Sequence, residues 1–195
     1  MRIGLISDTR VSQAQDVPLE VVRAFEGVDL ILHAGGIFVP EVLDWLEQIA
    51  PVKAVGRTMG DRLERPQYFS MECYDDSRVA EKQVFQAEGH IIGLAHELWF
   101  ESMSDDILPG ALEARRHPEE SLFLMVEEFF GAAVNIVVFG RTLYSMVEEH
   151  EGILLVNPGS PSMPKNLMKL GSVGILDLTP DGRDARVIDL PEFSY

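Results

Sequence analysis

One cysteine, Cys73, is all the chain carries, so no intrachain disulfide can brace the fold, and a reducing cytoplasm is the compartment this usage predicts. Cations are scarce too: 16 Lys and Arg stand against 32 Asp and Glu, a formal net charge of -16. Phosphate backbones are gripped by clustered cations, so this balance argues against a nucleic-acid partner. Any phosphate bound here must meet a local exception on an acidic surface. No apolar run reaches the roughly 20 residues that a membrane-crossing helix needs. The opening "MRIGLIS" turns polar at Ser7 and Asp8, too soon for a secretory leader. Repeats, linkers and low-complexity runs are missing as well, which predicts one domain over residues 1–195, long enough to bury a core without structural metal. Neither a P-loop nor a dinucleotide fingerprint is present, because "HAGGIF" lacks the G-x-G-x-x-G spacing. Ser160 has no G-x-S-x-G elbow around it.

What is present is a regular alternation. "RIGLISD", "DLILHAGG" and "PVKAVGR" read as buried strands, and residues 18–26 and 40–50, led by Pro18 and Pro40, read as helices between them. Strand, helix, strand, helix, strand with short connections predicts βαβ units and a parallel sheet. In such sheets ligands gather beyond the carboxyl ends of the strands, here near Asp8, Gly36 and Arg57. Residues 78–97 predict two strands about a turn at Glu88 and Gly89, the second ending at His96. "SDDILPGALEARRH" predicts a short helix or turn, with its basic end on a solvated helix terminus. "PEESLFLMVEEFFG" predicts a helix stopped by Gly131, its Phe and Met stripe belonging to the core. After "VNIVVFG" four further strand patterns, with turns at Glu151–Gly152 and Asp181–Gly182, predict an antiparallel tail.

"GLISDTR", "LILHAGGI", "AVGRTMGD", "IGLAHE", "VVFGRTL" and "LLVNPGSPSMPK" fall in an order and spacing that resembles the calcineurin-like metallophosphoesterases, specifically their small bacterial and archaeal phosphodiesterases. A retromer subunit shares that fold. The resemblance covers nearly the whole chain, with an apparent insertion or lid around 97–118 carrying Trp99, Phe100, Met103 and Leu108. It implies a four-layer α/β/β/α sandwich whose site lies at the loops where two sheets meet. The family's chemistry uses two divalent cations, such as manganese or magnesium, which stabilise charge and supply a hydroxide-like nucleophile. Its pattern reads D-x-H, G-D, G-N, a His near H-G-H, and G-H-x-H at five successive strand ends.

This chain departs from that pattern. Asp8 keeps its carboxylate, but Arg10 takes the histidine's place and Gly36 that of the bridging aspartate. Arg57 and Thr58 stand around the expected Gly-Asn, with Asp61 one position late. His96 survives, followed by Glu97 and Leu98, while Arg141 and Leu143 replace both histidines of the fifth end. Asp8 and His96 alone cannot hold a two-metal cluster, so the resemblance read this way predicts no metal cofactor and no catalytic residues. Two readings of the arginines stay open. Arg10, Arg57 and Arg141, oriented by Asp8 and with His96 as a titratable partner, would form a metal-free pocket for a phosphate-type anion. Alternatively, one arginine simply neutralises an Asp8 left without metal.

The functional expectation is a catalytically degenerate fold member that binds a phosphate-containing small molecule or a protein, self-associates as a homo-oligomer, and works in the cytoplasm. The rival is an enzyme: residual phosphodiesterase or phosphatase activity on a single metal rearranged around Asp8, His96, Asp61 and Glu97. His33, His90, His117 and His150 make no cluster in the sequence, and His33 reads as structural.

Overall fold

The computed structural model describes residues 1–56, 76–100, 107–113, 121–162 and 171–190. Arg57, Thr58, Asp61, Cys73, Met103 and His117, along with the basic end of 114–117, lie outside the described residues. Within the described ones the apolar runs become strands of two sheets. β1 (Arg2–Ile6), β2 (Leu30–His33) and β3 (Val52–Val55) pair in parallel. Their side chains are buried almost throughout, because α1 (Glu20–Ala24) and α2 (Glu41–Glu47) return the chain over one face while a second sheet covers the other.

Residues 78–87 do not make the single strand that their alternation predicts. β4 (Val79–Ala80) pairs in parallel with β3, and β5 (Lys82–Ala87) pairs antiparallel with β6 (His90–Ala95) in the other sheet. Glu81 alone separates them: Val79 and Ala80 are both half-buried, Glu81 and Lys82 both exposed, and regular alternation starts only with β5. The tail also departs from a wholly antiparallel reading. β8 (Met146–His150) and β9 (Ile153–Asn157) are antiparallel, yet β9 runs parallel to β7 (Ile136–Val138). β10 (Ser172–Thr179) and β11 (Gly182–Asp189) form a hairpin, and β10 lies antiparallel to β1. The sheet orders are therefore β11-β10-β1-β2-β3-β4 and β5-β6-β7-β9-β8.

α3 (Leu122–Phe130) starts where the Ser121 hydroxyl accepts the Phe123 N–H at 3.2 Å and stops at Gly131, whose φ of 69° is the left-handed closure expected of a glycine there. Three apolar clusters separate four layers. Phe25, Ile31, Leu43 and Leu46 pack between the first two helices and their sheet. Ile3, Leu5, Leu32, Leu94, Val138 and Val156 fill the space between the sheets. Val126, Phe130, Val137 and Leu155 join α3 to the second sheet, with Leu98, Phe100 and Ile107 in the same cluster. Each fully buried side chain of this size contributes about 1.5–3 kcal/mol by leaving water. The architecture is the four-layer α/β/β/α sandwich. Of the segment following His96, Trp99 and Leu108 are exposed, and residues 109–113 form turns.

Candidate functional site

Both sheets direct the carboxyl ends of their parallel strands to one edge of the sandwich, and hydrogen bonds knit the loops there. The Asp8 N–H donates to Gly35 O at 2.7 Å and the Arg10 N–H to Gly36 O at 3.1 Å, joining the first two strand ends. Across the sheets, the Gly140 N–H donates to His96 O at 3.1 Å. The Asn157 side-chain amide donates to Gly140 O and to Thr142 Oγ1, both at 3.0 Å, while its Oδ1 accepts the Gly159 N–H. Ser7 Oγ donates to Gly159 O and Ser160 Oγ to Asp8 O, each at 2.7 Å. Ser160 thus serves as a loop tie.

Asp8 is the hub. Its carboxylate has no solvent exposure. Oδ1 accepts Arg10 Nε at 3.0 Å and a second Arg10 nitrogen at 2.8 Å, with His96 Nε2 at 3.2 Å; Oδ2 accepts the Arg141 N–H at 2.9 Å. Burial drives the carboxyl pKa up and is the largest single influence, but the hydrogen bonds and charges of His96 and Arg10 together outweigh it and leave the group below its usual value. The structure brings Asp8, Arg10, His96 and Arg141 together, while Arg57 lies outside the described residues. The two described arginines are differently engaged. Arg10 neutralises Asp8, whereas the Arg141 side chain turns to Glu97 Oε1 at 3.1 Å.

The glycines show why these loops tolerate few replacements. At Gly36, with φ of 73°, a Cβ would stand 2.5 Å from Asp8 Oδ1, and at Gly35 one would stand 2.5 Å from the His96 ring. In this geometry no carboxylate fits at position 36 without moving Asp8. Six described non-glycine residues have positive φ, and four of them, Asp8, Arg10, Arg141 and Leu143, belong to this site. The other two, Glu88 and Glu151, precede glycine in hairpin turns. Left-handed backbone at ordinary side chains costs about 1–2 kcal/mol per residue, and such outliers collect at sites where surrounding structure holds them. The loops therefore share a specialised backbone at the four residues gathered around Asp8.

Beneath Asp8 sits His33, fully buried, with Nε2 3.2 Å from Thr9 Oγ1 and no partner for Nδ1. Burial pushes its pKa down to about 3, against the Asp8 charge, which pulls the other way, and with a smaller contribution from the His96 charge. It is a neutral packing residue, as the sequence predicts. The linking role of Asn157 is larger than turn formation, and its sequence signal was only the "NPG" turn.

The match to a family model settles the lineage: the calcineurin-like phosphoesterase superfamily domain model spans residues 1–181. The chain belongs to the calcineurin-like phosphoesterase superfamily. It is 31% identical over 189 residues to a probable metallophosphoesterase of Methanothermobacter thermautotrophicus, covering 96% of this chain and 92% of that one. It is 30% identical over 197 residues to a probable metallophosphoesterase of Methanocaldococcus jannaschii, covering 98% and 83%. Vps29 from Entamoeba histolytica, solved with Zn2+, shares the fold with a TM-score of 0.61 at 18% identity, covering 97% of this chain and 99% of that one.

Membership in this superfamily corrects one expectation. A chain whose relatives are named metallophosphoesterases, and whose fold occurs with zinc bound in Vps29, is not one for which absence of a metal cofactor is the right default. The sequence pattern misled because it counted missing ligands strand end by strand end, and loops can recruit donors from elsewhere. The described residues by themselves do not fit a two-metal cluster. Among them no group of three or more His, Cys, Asp or Glu side chains stands together, and the Asp8 oxygens are taken by Arg10, His96 and the Arg141 N–H. No helix among the described residues is long and apolar enough to cross a membrane.

Proposed function

We propose that this superfamily member is catalytically degenerate and serves as a non-catalytic module that binds a phosphate-type anion, carried on a small molecule or a protein partner, at the loops around Asp8. The observation that carries this reading is the saturation of Asp8: a guanidinium and an imidazole occupy Oδ1 and a main-chain N–H occupies Oδ2. A carboxylate so enclosed orients cations and does not deliver a nucleophile. Arg10 and Arg141 flank it, a third and nearly half exposed respectively, and their planar forks match phosphate oxygens. Arg57 belongs to the proposal from the sequence. On a chain with 32 acidic and 16 basic residues, Arg10 and Arg141 are the described cations at these loops on which an anion could draw.

The test is thermal melting with and without millimolar inorganic phosphate. A ligand that binds only the folded state raises the melting temperature with concentration. The wild-type chain is expected to gain stability and the variant with both Arg10→Ala and Arg141→Ala to lose that gain. Identical flat responses from both would remove the anion reading.

A second reading is favoured by the superfamily itself and by the zinc-bound Vps29. In it, Asp8, His96 and Glu97, with Asp61 from outside the described residues, support residual metal-dependent phosphodiesterase or phosphatase activity. Dialysis against manganese, metal analysis and a model phosphodiester assay separate the two. Near-stoichiometric metal with turnover abolished by Asp8→Asn would establish the enzyme. Homo-oligomer formation and cytoplasmic residence remain part of the proposal, the first checked by sedimentation and the second by cell fractionation.

A further inference from the structure

Arg141 and Glu97 are fixed at their backbones. The Arg141 N–H is committed to Asp8 Oδ2 at 2.9 Å, and its φ of 64° fixes the direction in which the side chain leaves. Glu97 follows His96, whose ring contacts Asp8 and whose carbonyl accepts the Gly140 N–H. Their side chains meet at 3.1 Å, each 46% exposed. The pair lies at a shallow surface notch lined also by Thr142 and by buried Leu98, Ile107 and Phe139.

An ion pair this exposed is worth about 0–1 kcal/mol, so breaking this one contact of Arg141 costs little. A dianionic phosphate offers the same guanidinium more charge and paired acceptors. We propose that Glu97 is an internal stand-in for the ligand: its carboxylate holds Arg141 in the ligand-free protein and yields to a phosphate dianion, while a monocarboxylate fails to displace it. This rests on the anion-binding reading of the site and adds a selectivity device to it. Glu97 sets the minimum charge a ligand must carry, because a competitor no more charged than Glu97 itself gains nothing over a tethered group.

The experiment is calorimetric titration of wild type, Glu97→Gln, Arg141→Ala and the Glu97→Gln/Arg141→Ala double variant with inorganic phosphate and with acetate, at constant ionic strength. Because the pair is exposed, Glu97→Gln is expected to keep the wild-type melting temperature, which verifies the fold before titration. Glu97→Gln is expected to bind phosphate about two- to fivefold more tightly, the factor that a surface pair represents, and to acquire measurable acetate binding. Arg141→Ala and the double variant are expected to lose both anions. Phosphate binding by wild type at an affinity equal to or higher than that of Glu97→Gln would overturn the stand-in role while leaving the anion site in place. Absence of phosphate binding in both wild type and Glu97→Gln would overturn the anion site itself. Binding by Glu97→Gln alone would overturn displacement of Glu97 by phosphate while leaving the anion site in place.

Discussion

Asp8 has no solvent around it, so the consequence of removing Arg10 is a buried charge short of its chief partner. Arg10→Ala is expected to cost about 2–4 kcal/mol at neutral pH, somewhat less than a fully buried pair because Arg10 is a third exposed. Adding Asp8→Asn to that variant should recover part of the loss, which urea melts of the two singles and the double will show. Leu143 carries strain instead. With φ of 64° on a Leu, replacement by Asn, which tolerates left-handed backbone, is expected to raise stability by roughly 0.5–1 kcal/mol. His33 gives a pH signature. Its folded pKa lies below its unfolded value, so the stability it contributes is present above about pH 6.5 and declines as pH falls toward 3. The slope is about 1.4 kcal/mol per pH unit at most, and His33→Asn should flatten it between about pH 6 and 4 in chemical denaturation. Asp8 adds loss of the same sign at lower pH, since its pKa is also depressed. That Asp8, His96 and Arg141 share one edge is legible in the sequence, because each follows a strand and parallel strands end together; whether the arginines converge is not, and Arg10 turns to Asp8 while Arg141 reaches Glu97. The Asn157 bridge is not, since a side-chain amide crossing to another loop leaves no periodic trace, and neither is the steric demand at Gly36, which depends on where Asp8 already stands.

Elements were readable where burial sets the pattern. β1, β2 and β3 announce themselves as apolar runs between helical spacings, and α3 through its Ser121 and Gly131 termini. The division of residues 78–87 is invisible because alternation is a property of one strand's two faces and carries no record of which neighbour it pairs with. Elsewhere a helix constrains the sheet below it. A Cβ at Gly93 of β6 would stand 2.7 Å from the Phe130 ring of α3, so Gly93→Ala is expected to cost about 1–3 kcal/mol by overpacking, read as a lower denaturation midpoint. In the opposite sheet and helical layer, Arg78 ahead of β4 reaches Asp44 and Glu47 of α2 as well as Asp76. The carboxylates around it push its own pKa up, Asp76 foremost. That clasp ties β4 to the helical layer.

For the whole molecule, 32 acidic against 16 basic residues mean self-repulsion in the compact state. Moderate sodium chloride is therefore expected to raise the melting temperature, as screening shortens the reach of that repulsion to about 8 Å near physiological ionic strength. Glu81 has a different importance at this scale. With one residue between β4 in one sheet and β5 in the other, the chain leaves no slack across the sandwich at that edge. The two sheets cannot part like the lobes of a hinged enzyme. Under the anion-binding proposal, the described strand ends of the two sheets keep their spacing when a ligand arrives, and the response expected is a swing of the Arg141 side chain away from Glu97.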